Sequence, residues 1–149
     1  MRAIIQKVKE ASVKVEGSLI SEIGEGYLVF LAVKEGDNDD DLAYIERKIS
    51  NLRIFEDENG KMNLSLKDLG GEILLVSQFT LYGDVRKGNR PSFTDSAGLD
   101  LARSYYERLA DNLKKAGFDV KTGKFQAHME VGLINDGPVT IMLDSERKF

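Results

Sequence analysis

Tyr27-Leu28-Val29-Phe30-Leu31-Ala32-Val33 is the stretch that decides the fold, because it is the longest uninterrupted apolar run in the chain. A short apolar run without polar alternation is typical of a strand that is covered on both faces. Gly24 and Gly26 precede the run and are typical turn residues. The run therefore predicts a buried central strand around which the other elements pack.

The residues on either side of this strand show two different hydrophobic periods. The N-terminal segments 2–9 and 12–16 alternate apolar with polar side chains, and Gly17 follows them, so antiparallel strands are predicted. From Asp39 onward the period is helical, and an acidic first turn suits the helix dipole. A helix packed on the sheet is predicted, with an apolar stripe formed by Leu42, Ile45, Ile49 and Leu52.

The second half of the chain continues the pattern. Glu58-Asn59-Gly60 predicts a turn, and Glu72 to Gln78 predicts a strand. A second helix is predicted from about Ala97, capped by Asp95 or Ser96 and ended by Gly117. The remaining strands are predicted at Phe118 to Thr122, Met129 to Asn135 and Val139 to Leu143. The expected fold is α+β, with antiparallel or mixed sheets, a barrel-like shape and two main helices.

Composition limits the possible architectures. A chain of 149 residues that is 42% hydrophobic fits a single domain, residues 1–149. It contains no cysteine, which rules out disulfides, thiolate metal sites and a cysteine nucleophile. The apolar stretches are far shorter than the ~20 residues of a membrane span, and charged residues interrupt the N-terminus. We expect a soluble, cytoplasmic protein with no membrane partner.

Two polar segments stand where strands are expected to end or to be interrupted. Asn135-Asp136-Gly137-Pro138-Val139-Thr140 places a proline between two apolar runs, although proline cannot donate to a sheet ladder. This segment is either a plain hairpin corner or a device that aims backbone carbonyls at a ligand. Ser77-Gln78-Phe79-Thr80-Leu81-Tyr82 places hydroxyl and amide groups at the end of a strand, where binding groups commonly lie.

These segments, together with Arg86 to Phe93, resemble the D-aminoacyl-tRNA deacylase family in order and spacing. The opening residues 1–17, the middle residues 52–66 and the closing residues 123–131 extend the resemblance over the whole chain. The resemblance implies the deacylase-like fold and hydrolysis of the ester that links a D-amino acid to the 3′ end of tRNA. It also implies activity on mischarged glycyl-tRNA.

The resemblance implies a chiral filter built by two protomers. Gly137 and Pro138 are expected to form a cis peptide that enters the partner's pocket in a homodimer and faces the substrate's α-amino group. Backbone walls at that distance clash with an L side chain and leave a D side chain free. Asn135, Val139 and Thr140 are expected to bind substrate with them, and Met129 is expected to border the pocket.

The matching segment Ser77 to Thr80 is expected to form the catalytic wall. Backbone N–H groups near Phe79 and Thr80 are expected to stabilise the developing oxyanion, and Ser77 and Gln78 to meet the adenosine and ester. The Thr80 side chain either polarises the carbonyl, orients water or attacks the ester, although a threonine nucleophile has no evident base in the sequence. Phe79 either stacks on the substrate or packs.

The net charge of −4 argues against a protein that grips long nucleic acid, so DNA is not expected as a partner. RNA contact must then be local. Arg86, Lys87 and Arg90 form the densest basic cluster, with Lys121 and Lys124 further along, and this is either a phosphate site or a solvated loop.

The closing segment contains two residues that bear on the shape and chemistry of the pocket, Gln126 and His128. Gln126 stands where the family often has glycine, and His128 is the only histidine, which fits a structural role better than catalysis. No metal or cofactor is expected. A non-catalytic binding module, a structural dimer and a general esterase stay open as other functions, although the last lacks a G-x-S-x-G elbow.

Overall fold

Eight strands, three α-helices and one 3₁₀ helix make up the structure, a computed structural model that describes residues 1–149. The strands are β1 (Arg2–Val15), β2 (Ser18–Ile23), β3 (Gly26–Ala32), β4 (Phe55–Glu56), β5 (Met62–Leu64), β6 (Glu72–Ser77), β7 (Asp119–Thr122) and β8 (Glu130–Asp144). The helices are α1 (Asp39–Asn51), α2 (Leu66–Leu69) and α3 (Leu99–Lys115), and the 3₁₀ helix is Phe79–Tyr82.

The long strand β1 organises a six-stranded mixed sheet. Antiparallel strands β2 and β3 pair with successive parts of one edge of β1, and β8 pairs antiparallel with the other edge. From β3 the sheet continues in parallel through β6 to β7. The sheet curls until Ser21 Oγ in β2 donates to the Thr122 carbonyl in β7 at 2.8 Å, which nearly closes a barrel. The predicted barrel-like α+β fold is confirmed, with β4 and β5 as a separate hairpin.

The central strand β3 is buried on both faces, as its sequence predicts. Tyr27 and Val29 belong to a core cluster of 24 buried residues that includes the apolar stripes of α1 and α3. Leu28 faces a smaller cluster of seven residues on the other side of the sheet. At Gly26 a Cβ atom would lie 1.9 Å from the Glu72 carbonyl oxygen, so only glycine permits the close approach of β3 and β6.

The two main helices form where the helical period predicts them. Helix α1 buries Leu42, Ile45 and Ile49, and Asn38 caps its start in a capping box. Helix α3 ends as predicted, with Gly117 at φ +97° just beyond it. The predicted cap at Asp95 or Ser96 is wrong: the N-cap of α3 is Gly98, which has no side-chain cap. Residues 95–96 are held elsewhere, because Ser96 forms a β-bridge with Lys34.

The prediction of two separate strands, from Met129 to Asn135 and from Val139 to Leu143, is wrong, because β8 is one strand of 15 residues that contains a β-bulge. Thr140 pairs with Gln6 and Asn135 pairs with Val8, so residues 136–139 lie opposite the single residue Lys7. After the proline, Val139 and Leu143 of β8 are buried and Met142 is half-exposed, whereas before the bulge both Leu133 and Ile134 are exposed. The proline is tolerated because it lies in the bulge, where the ladder is interrupted.

No helix of the structure is both long enough and apolar enough to cross a membrane.

Candidate active site

The end of β6 leads directly into the 3₁₀ helix that carries the candidate catalytic residues. The Gln78 N–H donates to the Leu31 carbonyl at 2.8 Å, and Gln78 (φ −144°, ψ 74°) then turns the chain out of the strand. The prediction that the strand extends through Gln78 is therefore wrong by one residue. Phe79 and Thr80 begin the helix, and the first N–H groups of a helix have no partner within it. Their N–H groups are therefore available to a ligand.

Three side chains from distant parts of the chain hold this short helix. Ser96 Oγ donates to the Phe79 carbonyl at 3.2 Å, and an Arg2 guanidinium N–H donates to the Leu81 carbonyl at 3.0 Å. The Phe79 ring meets Phe93 edge-on with ring centroids 5.1 Å apart, although its side chain is 54% exposed. Phe79 thus packs on one edge and keeps an open face for a substrate. The contribution of Arg2 was not visible in the sequence.

The side chains of Gln78 and Thr80 contact each other. The Gln78 amide donates to the Thr80 hydroxyl, which is exposed and has no other hydrogen-bond partner. No carboxylate, imidazole or amine lies within hydrogen-bond distance of that hydroxyl, so nothing is placed to remove its proton. A serine or threonine nucleophile needs such a base. The geometry thus supplies a polar contact at Thr80 but no activated nucleophile.

A cavity of ≈ 520 Å³ opens beside this helix. Ser77, Gln78 and Phe79 form one wall, and the start of α3 forms another. Residues 125–129, which include Met129, form a third wall. The structure therefore brings together four of the predicted site residues. Thr80 belongs to the same helix but does not line the cavity. Polar groups at the rim of a mostly apolar cavity are typical of a small-molecule or cofactor site.

The segment 125–129 of the cavity wall contains Gln126 and His128, the two residues noted in the sequence. Gln126 has φ +62°, a left-handed conformation in which glycine is favoured, and an Arg103 N–H donates to its side-chain oxygen at 2.8 Å. This backbone conformation gives a physical reason for the glycine expected from the resemblance. His128 lines the cavity and is exposed.

The bulge of β8 lies apart from this cavity. None of the residues 135–140 lines it, although Gly137 and Pro138 are exposed and joined by a cis peptide bond. Asn135 Nδ2 donates to the carbonyls of Lys7 and Val139, each at 2.9 Å, and the Val139 side chain is buried in the core. The bulge is thus anchored on both sides and presents its tip to solvent.

Lys7 is a functional candidate that the sequence analysis missed. Its side chain is 8% exposed, its Nζ lies 3.2 Å from Asp136 Oδ2, and it lies over the Phe55 ring at 5.3 Å. This ion pair beside Gly137 ties the bulge to β1: the Lys7 side chain is buried and Asp136 supplies its counter-charge, whereas the Asp136 side chain is 30% exposed and also reaches water. The signal was present in the alternation of β1, since Ala3, Ile5 and Lys7 share the inward face.

The predicted basic cluster is separate from the cavity and partly neutralised. Arg86 donates through Nε and Nη2 to both oxygens of Asp84, at 2.9 and 2.7 Å. These hydrogen bonds hold the pKa of the Asp84 carboxyl well below its usual range. Lys121 is paired with Glu72 at 2.9 Å. Only Lys87, Arg90 and Lys124 among the cluster have no carboxylate within ion-pair distance.

Comparison with solved structures first defines the type of fold. A structure described as a probable eukaryotic D-amino acid tRNA deacylase superposes with a TM-score of 0.80, covering 95% of this chain and 97% of that chain at 20% identity. A structure described as c-Myc DNA unwinding element binding protein superposes with a TM-score of 0.91 at 44% identity, covering 97% and 98%. The mixed, nearly closed sheet with a cavity at a strand end is therefore the deacylase type of α+β fold.

Sequence comparison then identifies the family: the chain belongs to the D-Tyr-tRNA(Tyr) deacylase family, whose sequence profile matches residues 4–144. It is 56% identical to the D-aminoacyl-tRNA deacylase of Thermosipho africanus and 55% identical to that of Thermotoga petrophila. Both matches span 149 residues and 100% of each chain. The enzyme class is therefore that of an ester-bond hydrolase acting on charged tRNA.

Proposed function

We propose that the protein hydrolyses the ester between a D-amino acid and the 3′ adenosine of tRNA, that it also clears glycine mischarged on tRNA(Ala), and that it spares L-aminoacyl-tRNA. The observation that carries this proposal is that the family-matching residues Ser77, Gln78, Phe79 and Met129 line one cavity. The substrate ester is already activated towards water, so positioning and charge stabilisation are sufficient catalysis.

Within this proposal the backbone N–H groups of Phe79 and Thr80 stabilise the oxyanion that forms as water attacks the ester. Such donors contribute about 3 to 4 kcal/mol each in acyl-transfer enzymes. Ser77 and Gln78 contact the ester and the terminal adenosine, the open face of Phe79 stacks on a base, and Met129 borders the amino acid. The Thr80 hydroxyl orients the carbonyl or the water through its contact with Gln78, since no base activates it as a nucleophile.

Chirality is proposed to be read by Gly137 and Pro138 of a second protomer. Held against the substrate's α-amino group, their carbonyls leave no room for an L side chain, whereas a D side chain points away and glycine has none. Asn135 and the flanking Val139 and Thr140 hold this backbone in place. The hydrogen bonds of Asn135 to both sides of the bulge support that role.

A homodimer is proposed because the cavity of one chain lacks the chiral filter. Gly137 and Pro138 are exposed at the tip of a bulge and line no part of their own protomer's cavity. The same strand leaves its outer edge unpaired and exposes Leu133, Ile134 and Met142, which suits burial against a partner.

The tRNA end is proposed to contact the loop after the 3₁₀ helix, where Lys87 approaches phosphates and Arg86 is oriented by Asp84. The description of one structural relative names DNA binding, but a net charge of −4 favours a local RNA contact over a grip on long duplex. The substrate sets the proposed location in the cytoplasm, where tRNA is charged.

The decisive experiment compares hydrolysis of D-tyrosyl-, L-tyrosyl- and glycyl-tRNA by purified protein in chelator, following free amino acid over many turnovers. Loss of the D and glycyl esters with the L ester spared is expected. Equal loss of all three esters would indicate a general esterase, and saturation at one product per site would indicate a binding module.

Complementation tests the dimer independently of activity on any one tRNA. A Gly137→Ala protein and a Gln78→Ala protein are each expected to be weakened, and mixing and re-annealing them is expected to restore activity. A mixed dimer combines the intact cavity of one protomer with the intact bulge of the other. No recovery on mixing, with exchange of subunits verified by mass, would contradict insertion into the partner.

A further inference from the structure

A groove of ≈ 750 Å³ lies at the C-terminal end of α1, and none of the predicted site residues lines it. Its lining includes Tyr44 and four cations, Arg47, Lys48, Arg53 and Arg147. Three of these cations come from the end of α1 and the residues just after it, and the fourth comes from the C-terminus of the chain. The fold therefore assembles a basic surface that no local sequence pattern displays.

Three of the cations converge on one aromatic ring. The guanidinium carbons of Arg47 and Arg147 lie 5.7 and 5.6 Å from the centre of the Tyr44 ring, and Lys48 Nζ lies 5.6 Å from it. Each distance is within the range of a cation–π contact. The ring thus holds three positive charges close together, although like charges repel one another at such separations.

No ion pair within the molecule neutralises this concentration of charge. The eight ion pairs of the molecule include none of Arg47, Lys48, Arg53 and Arg147. Arg53 donates to Asn63 instead. The dipole of α1 accounts for one cation in its last turn, Lys48, but not for Arg147, which belongs to no helix. Four unneutralised cations in a chain of net charge −4 form a surface suited to a polyanion.

We propose that this basic groove binds the phosphodiester backbone of the tRNA substrate, away from the 3′ adenosine. The inference rests on the proposed function, because the family's substrate is the polyanion in question. Guanidinium groups suit phosphate oxygens through paired N–H donors, and a concave surface holds several phosphates at once.

The position of the groove suits a ligand longer than one nucleotide. The cavity reaches Ala102 near the start of α3, whereas α1 meets α3 near its other end, where the Asn112 amide donates to Glu46. Ten residues of helix separate those two levels of α3, or about 15 Å at 1.5 Å per residue. A terminal adenosine in the cavity cannot span that offset, so the groove contacts other parts of the tRNA backbone.

The test compares two triple variants that change net charge equally. The groove variant is Arg47→Gln/Lys48→Gln/Arg147→Gln. The control variant is Lys67→Gln/Lys114→Gln/Lys115→Gln, which removes three exposed lysines that have no carboxylate partner. Each is assayed on D-tyrosyl-tRNA and on D-tyrosyl-adenosine, a substrate that lacks the backbone. A charge-retaining variant, Arg47→Lys/Arg147→Lys, separates loss of charge from loss of the guanidinium groups, and the free energy of unfolding of each variant checks folding.

For the groove variant we expect KM for the tRNA to rise at least about tenfold with kcat unchanged, and kcat/KM for D-tyrosyl-adenosine to stay at the wild-type value. The slope of log KM against log salt should become shallower by about 2 to 3, as expected for about three lost phosphate contacts. The control variant should resemble the wild type, and the charge-retaining variant should lose less affinity for the tRNA than the groove variant, because lysine keeps the charge but not the paired donors.

Three results would overturn this inference while the wild-type enzyme remains active. Equal loss in the control variant would show a net-charge effect, and equal loss on D-tyrosyl-adenosine would show damage to the active site. Loss of affinity for a 20-base-pair DNA duplex with KM for tRNA unchanged would assign the groove to DNA. Inactivity of the wild-type protein on D-tyrosyl-tRNA would refute the proposed function instead.

Discussion

Replacing Thr80 by valine separates two catalytic mechanisms. In one, backbone N–H groups stabilise the oxyanion and the Thr80 hydroxyl only orients the reactants; in the other, the Thr80 hydroxyl attacks the ester. Valine keeps the shape of threonine and removes the hydroxyl, whose only hydrogen-bond partner is the Gln78 amide. A neutral hydrogen bond contributes about 0.5 to 1.5 kcal/mol, and 1.36 kcal/mol corresponds to tenfold in rate. If the backbone N–H groups stabilise the oxyanion, kcat/KM on D-tyrosyl-tRNA should therefore fall by about tenfold at most.

The assay is single-turnover and steady-state release of D-tyrosine, with the free energy of unfolding measured alongside. Thr80→Ser is the matched control, because it keeps the hydroxyl. A loss of about a thousandfold or more in Thr80→Val, with Thr80→Ser active and both variants folded, would refute the backbone mechanism. Such a result would make the hydroxyl a nucleophile despite the absence of a neighbouring base.

Three further substitutions test the bulge and the core beneath the cavity. Gly137→Ala should lower kcat/KM on D-tyrosyl-tRNA by about ten- to a hundredfold and should cost about 1 to 3 kcal/mol of unfolding free energy, because φ is +128° and the new Cβ would lie 2.7 Å from Val139 Cγ2. Lys7→Met should change the free energy of unfolding in urea by less than about 1 kcal/mol, since methionine fills the buried space and the Asp136 side chain, which is 30% exposed, is solvated by water. It should still weaken D-aminoacyl-tRNA hydrolysis, because Asp136 is released. Tyr106→Phe should cost about 1 kcal/mol of unfolding free energy, because it removes one hydrogen bond from the tyrosine hydroxyl to the Leu75 carbonyl of β6, at 2.8 Å. Burial raises the pKa of that hydroxyl to about 12. The Leu75 carbonyl still accepts from the Gly123 N–H in the variant, so it is not left without a partner.

The elements predicted correctly are those whose side-chain period is set by burial. The stripe of Leu42, Ile45 and Ile49 and the solid apolar run of β3 face the core as expected, because one buried face fixes each element. The errors fall at element ends. Capping residues were assigned from type alone, so Ser96 was expected to cap α3, whereas tertiary contacts use its hydroxyl to hold Phe79.

The sequence shows the functional residues that lie in one local motif, and it does not show those that tertiary packing brings together. Ser77 to Phe79 lie on consecutive positions at a strand end, so a local motif suffices to find them. Lys7 was missed because an interior lysine in an alternating strand resembles a solvent-facing residue. The basic groove joins residues 47 and 147, and only the pairing of β8 with β1 brings the C-terminus of the chain near the start of the fold.

The bulge of β8 constrains how this protein can change in length. Residues 136–139 lie opposite Lys7 alone, which adds three residues to β8, and β1 has one extra residue, Lys9, between Val8 and Glu10. Between the pairs Glu10–Ile134 and Gln6–Thr140, β8 is therefore longer than β1 by two residues. Because side chains alternate faces along a strand, an even insertion leaves Ile141 and Leu143 facing the core. Deleting or adding one residue at positions 136–139 would reverse the facing of residues 140–144, so that Ile141 and Leu143 would point to solvent. Tolerated length variants of this segment should therefore differ by two residues, a rule that a library of insertions and deletions can read directly.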